Sequence, residues 1–173
     1  MELILGSGAR KFKRCDYYND IEDVKTCFSD DVITLDINEE LNPDIVWDLN
    51  NLPLPLDDNK FDEIHAYEVL EHIAYQGDYK SFFHLFNELY RILKKDGFIF
   101  ISVPVWNSLW GFGDPGHTRI INIGTIVFLS QKQYEKQVGK TPMTDYRNIY
   151  KGDFDILKCI EDEVQLNFLL KKV

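Results

Sequence analysis

The chain has 173 residues, 45% of them hydrophobic, which suits one domain with a sizeable core and argues against a disordered segment. Its formal net charge is −10, and Lys and Arg are scattered apart from a cluster at Arg10, Lys11, Lys13 and Arg14, so no broad basic face exists for a long nucleic acid. The longest apolar stretches, such as residues 98–105, are too short to span a bilayer, and Cys15, Cys27 and Cys159 form no CxxC pair.

No basic leader precedes Leu3-Ile4-Leu5, so a secretory signal is not expected. With no disulfide framework and no zinc pattern among the cysteines, a reduced, cytoplasmic compartment is expected and no metal site is assigned. Glu2–Leu5 is a short apolar run that breaks at Gly6-Ser7-Gly8, the pattern of a buried strand and a glycine turn. Residues 10–31 are polar and mixed, with weak helical spacing over 20–28. Residues 32–37 are β-branched and apolar and predict a strand, and residues 44–49 predict another. The prolines of Leu52-Pro53-Leu54-Pro55-Leu56 lack ladder donors and mark a connector.

Phe61–Tyr67 reads as a strand, with a helix from Glu68 onward. Asp78 is the expected N-cap of a long helix reaching Lys95, whose apolar stripe runs through Phe82, Leu85, Phe86, Leu89, Ile92 and Leu93. Asp96-Gly97 is expected to end it, with the glycine just past the last turn. Residues 98–105 form the most hydrophobic strand, and 106–117, rich in Trp, Gly and Pro, predict a long functional loop. A short helix over 125–137 and a hairpin of 153–160 with 164–172 complete the chain. Strands alternating with helices imply an α/β, Rossmann-like, doubly wound, mainly parallel sheet with a C-terminal antiparallel hairpin, in one domain over 1–173.

Three features suggest chemistry. The Gly6-Ser7-Gly8 turn lets a ligand approach the backbone, although a tight turn alone would use the same residues. Asp36, at the end of the second strand, lies beside that turn in a doubly wound sheet, where a carboxylate accepts paired ribose hydroxyls or simply caps the strand end. Asp48 ends the third strand, and it or the Leu49 backbone would meet an adenine amino group, unless it is a solvated strand end.

Leu5-Gly6-Ser7-Gly8, Leu35-Asp36-Ile37, Asp48-Leu49, Leu52-Pro53 with Phe61-Asp62-Glu63-Ile64, Val69-Leu70-Glu71-His72, and the run from Glu88 to Gly97 follow one another in order. This series resembles the class I S-adenosylmethionine-dependent methyltransferases, specifically the methyltransferase type 11 group. The segment from Trp110 to Arg119 is similar to a loop of some members. The resemblance implies S-adenosylmethionine as cofactor, with Leu5, Gly6, Ser7 and Gly8 around its methionine part and Asp36 and Ile37 at its ribose. It implies Asp48 and Leu49 beside the adenine, and Tyr67 and Glu68 on the wall near the sulfonium. His72 either supports the site or caps the following helix.

The chain departs from the family pattern at Ile4, where an acidic residue is usual, and at Arg10, which replaces a third glycine and would meet the cofactor's carboxylate. With no helical lid expected ahead of the leading strand, the site is expected to be open or to be covered by a second copy or a partner chain. His117, after the fifth strand, is the candidate base for the acceptor's proton, the alternative being that His117 and Arg119 tie the loop to the sheet. Trp106 and Trp110 would wall the acceptor or pack in the core. Glu68-Val69-Leu70-Glu71 stands where base-methylating relatives carry an Asn/Asp-Pro-Pro-aromatic motif. The acceptor expected is therefore a small molecule, a sugar-like group or a protein side chain, and the alternative function is a non-catalytic cofactor-binding module.

Overall fold

The computed structural model describes residues 1–9, 13, 18, 20, 21, 24 and 31–173. Arg10, Cys15, Cys27 and most of the helical spacing expected over 20–28 lie outside the described residues.

Strand β1 (Glu2–Leu5) is followed by β2 (Val32–Asp36), β3 (Ile45–Val46) and β4 (Phe61–Tyr67). Helix α1 (Tyr79–Ile92) leads into β5 (Leu93–Pro104), then short helices α2 (Leu109–Gly113), α3 (Ile123–Ile126) and α4 (Gln131–Gln137), then β6 (Phe154–Glu161) and β7 (Gln165–Lys172). Among the described residues the strands form one seven-stranded sheet in the order β3-β2-β1-β4-β5-β7-β6. The pairs from β3 to β5 are parallel, whereas β7 is antiparallel to both β5 and β6. The expected hairpin therefore enters the sheet with β7 inside and β6 at the edge.

Both faces of the sheet are covered, and strand parity assigns the residues to each. Leu3 and Leu5 of β1 and Ile64 and Ala66 of β4 point into the larger core with Phe82, Phe86 and Leu89 of α1. On the other face Phe98, Phe100 and Leu169 meet Tyr18, with Ile21, Val24 and Tyr67 packed against them. Glu2, Glu63 and His65 also face this side, although all three are buried. Lys13 is ion-paired to Glu63 and lies 3.6 Å from Glu2, so one buried ammonium offsets part of the charge of the two carboxylates.

The Asp78 side chain caps α1 by accepting from the Ser81 N–H at 3.1 Å, as the sequence indicates. The helix ends at Ile92 instead of Lys95, because Leu93 is fully buried and pairs with Phe61 as the first residue of β5. The left-handed residue after it is Asp96 (φ 62°) and not Gly97. A Cβ at Gly97 would stand 2.8 Å from the Asp62 carbonyl, so its small size serves close packing. β3 is two residues long, shorter than expected, and Asp48 beyond it accepts from the Asn50 N–H at 2.8 Å in a turn. In place of a helix from Glu68 there is only a 3-10 turn at Leu70–His72. The loop after β5 contains α2, capped by Ser108, and the helix expected over 125–137 is broken into α3, a 3-10 turn at Val127–Leu129 and α4. Among the described residues no helix is long and apolar enough to cross a membrane.

Candidate cofactor and acceptor site

Parallel strands carry their loops to one edge of the sheet, and the site forms where β1, β2 and β4 end. Gly6 and Gly8 both have left-handed backbones, φ 57° and 56°. A Cβ on Gly6 would stand 2.5 Å from Val69 Cγ2, whereas one on Gly8 would meet nothing within 4 Å. Gly6 is thus fixed by close packing against the loop after β4, and Gly8 by its conformation beside open space.

Asp36 ends β2 with its carboxylate fixed by two backbone donors. Gly8 N–H donates to Oδ2 at 2.8 Å and Asn38 N–H to Oδ1 at 2.9 Å. Each oxygen keeps a lone pair for a further donor, as two vicinal hydroxyls would require. Beside them a cavity of about 290 Å³ is lined by Gly6, Gly8, Asp36, Asp48, Asn50, Glu68 and His72 among its polar and glycine residues. Leu35, Ile37, Trp47, Leu49, Val69 and Ile73 supply its apolar walls. An apolar cleft with a few fixed polar groups suits a nucleoside-bearing ligand.

The structure brings together Gly6, Gly8, Asp36, Ile37, Asp48, Leu49 and Glu68 of the residues predicted for the cofactor. Leu5 lies beneath them, fully buried in the core. Ser7 is in the turn, with its N–H directed to the Leu35 carbonyl at 3.4 Å. Tyr67 is turned by strand parity to the opposite face, its hydroxyl 2.8 Å from His65 Nδ1. Glu68 takes a left-handed backbone (φ 53°), a conformation that costs about 1–3 kcal/mol and is typical of sites that the surrounding structure holds in place. Ser102 Oγ donates to its Oε1 at 2.6 Å, and Gln165 Nε2 at 3.2 Å.

The segment after α2 lies along the 3-10 turn that follows β4. Thr118 and Arg119 N–H both donate to the Glu71 carbonyl, at 2.9 and 3.1 Å. The Arg119 guanidinium donates to the Tyr75 and Asp78 carbonyls at 2.7 Å each and lies 4.9 Å from the Phe82 ring centroid. Arg119 is therefore a strap between loop and helix start, where the sequence suggested a tie between loop and sheet.

His117 does not line the cofactor cavity. It packs edge-on against His72, which does, with ring centroids 4.6 Å apart. His72 is held by Gly116, whose carbonyl is 3.0 Å from Nδ1. His117 Nε2 lies 3.9 Å from both Glu71 Oε1 and Asp114 Oδ2, and its Nδ1 is buried with no hydrogen-bond partner among the described residues. Burial, reinforced by the like charges of Glu68 and Asp114, pushes the Glu71 carboxyl up to about 8. Trp106 and Trp110 are 49% and 57% exposed, so neither packs in the core. Sequence reasoning gave no separate role to Glu71, Trp47 or Asn50, and for Glu71 only its place in the Val69-Leu70-Glu71-His72 motif pointed to it.

A methyltransferase domain family matches residues 20–101. No curated protein matches the chain in sequence. In fold it is similar to a SAM-dependent methyltransferase from Archaeoglobus fulgidus, with TM-score 0.57 and 17% identity over 99% of this chain and 85% of that one. It is also similar to the N-methyltransferase NodS from Bradyrhizobium japonicum WM9 in complex with S-adenosyl-L-homocysteine, with TM-score 0.55 and 11% identity over 99% and 76% of the two chains. A third similar structure is a complex with the Trm112 methyltransferase activator of Haloferax volcanii, with TM-score 0.55 and 15% identity over 99% and 81%. The methyltransferase family match thus covers just under half of the chain, over nearly its whole length the fold is similar to that of S-adenosylmethionine-dependent methyltransferases, and S-adenosylmethionine is the kind of ligand that the glycine-and-aspartate cavity would fit.

Proposed function

We propose that the chain, acting as one cytoplasmic domain over 1–173, methylates a small-molecule acceptor, sugar-like molecules included. The observation that carries this reading is Asp36, clamped by Gly8 and Asn38 at the mouth of a cavity whose lining extends to His72. Asp36 and Ile37 would hold the ribose, Asp48 and Leu49 the adenine, and Gly6, Gly8 and Glu68 the methionine side. When bound, the cofactor supplies an activated methyl carbon, to which the acceptor's lone pair bonds as the carbon–sulfur bond breaks. The protein's part is to align the acceptor and to exclude water.

A hydroxyl acceptor also gives up its proton. His72 on the cavity wall and His117 against its edge are the imidazoles on that side, so His117 serves with its neighbours and not as a lone base. The net charge of −10 favours a small acceptor over a long nucleic acid. A second copy or a partner chain, as in the Trm112 complex of the similar structure, would cover the open side near the exposed Trp106 and Trp110.

Incubation with methyl-labelled cofactor across a panel of hydroxyl and amine acceptors should transfer label to at least one. In that assay His117→Ala should slow transfer by about 10²–10⁴-fold while leaving cofactor affinity intact. Transfer at the wild-type rate would remove His117 from the acceptor side. Cofactor binding with no transfer to any acceptor would favour a non-catalytic binding module.

A further inference from the structure

Across the cavity wall, one carboxylate oxygen of the buried Glu71, one ring nitrogen of the exposed, wall-lining His72 and one of His117 all lie within 4.8 Å of one another. Glu71 is 2% exposed, and neither of its carboxylate oxygens has a hydrogen-bond partner among the described residues. A buried carboxyl left in that state is costly, by several kcal/mol if ionised, unless something occupies the space it faces. The His117 side chain is 8% exposed, and its Nδ1 is likewise unbonded among the described residues. Glu71 and His117 border a cavity of about 10 Å³, which is room for about one water-sized particle.

The donor set decides between the occupants. Two imidazoles and one carboxyl group, with the Asp114 carboxylate 3.9 Å from His117, form a mixed nitrogen–oxygen donor set. Such a set suits a divalent first-row transition cation and leaves coordination positions open. His72 is oriented by the Gly116 carbonyl, the kind of outer contact that fixes an imidazole ligand. Arg119 borders the same cavity, but its guanidinium is committed to the carbonyls of Tyr75 and Asp78 and to the Phe82 ring. The other acid–histidine group, Glu2, Glu63 and His65, already contains the Lys13 ammonium as its cation.

We propose that Glu71, His72 and His117 form a binding site for one divalent cation, of the Mn²⁺, Co²⁺ or Zn²⁺ type, against the cofactor cavity. The site stands on these side chains alone and does not depend on methyl transfer. Spacing of cysteines excluded a zinc-finger-like site, but a carboxylate and a histidine from one turn joined by a histidine 45 residues later (117 − 72) leave no such pattern.

The test is titration of the chelator-stripped full chain with Mn²⁺ and Zn²⁺ by calorimetry, with circular dichroism as the control for folding. One cation per wild-type chain is expected. Folded Glu71→Gln and His117→Ala should each bind at least about 10–100-fold more weakly, since even outer-shell losses reach that range. Co²⁺ added to the wild type should give visible d–d absorption bands of a nitrogen-ligated ion, a readout that needs no variant. Absence of binding and of cobalt bands would leave a buried water in the cavity and overturn the proposal. Unchanged affinity in both folded variants would place the ion elsewhere and overturn it as well.

Discussion

Arg119→Met is expected to destabilise the fold by about 2–4 kcal/mol, because it strips the donors from backbone carbonyls that the guanidinium now satisfies. The two strongest of these bonds, to Tyr75 and Asp78, are 2.7 Å long, and the side chain is almost completely enclosed. Burial draws the Arg119 pKa down, while Asp78 opposes that shift, so the charge is kept where it is costly. Methionine preserves the apolar stem against Phe82 but carries no donor, which isolates the hydrogen-bond loss from the packing loss. Urea unfolding measures the difference. A change within about 0.5 kcal/mol, the range of an ordinary surface substitution, would show that the strap contributes nothing to stability.

Glu71→Gln should act in the opposite direction, and only at higher pH. Burial raises the folded carboxyl to about 8 from an ordinary 4.5. Between those values the unfolded chain has lost the proton and the folded chain retains it, so stability falls as pH rises through this window. The stabilisation present below pH 4.5 is spent by about pH 8. Glutamine mimics the protonated acid and does not ionise. In the presence of chelator the variant should therefore match wild type near pH 4.5 and exceed it by a few kcal/mol, on the order of 4, above pH 8. Denaturant unfolding across this range reads the gap. A gap that stays constant with pH would mean that the Glu71 carboxyl ionises normally in the fold.

The sheet was legible because its strands are short, β-branched and apolar between turn residues. Asp36 could be placed in the site from the order of elements alone, because strand ends in a doubly wound sheet converge. The end of α1 was not legible: Leu93 continues the helical stripe in sequence, and only its pairing with Phe61 shows that it is already in β5. Tyr67 sits one residue from the cavity in sequence and on the other face of the sheet in space, a parity that depends on where β4 ends. Glu71 was hidden for a different reason. Its burial depends on residues 114–119 lying across the turn, a contact between segments more than 40 residues apart that no local pattern encodes.

The central claim is that the cavity beside Asp36 holds S-adenosylmethionine, and calorimetry with S-adenosylhomocysteine tests it most directly. One molecule should bind per wild-type chain, and Asp36→Ala should weaken binding by roughly 1.5–3 kcal/mol, the scale of hydrogen bonds to a charged group. No binding to the wild type, or equal affinity in the variant, would contradict the account.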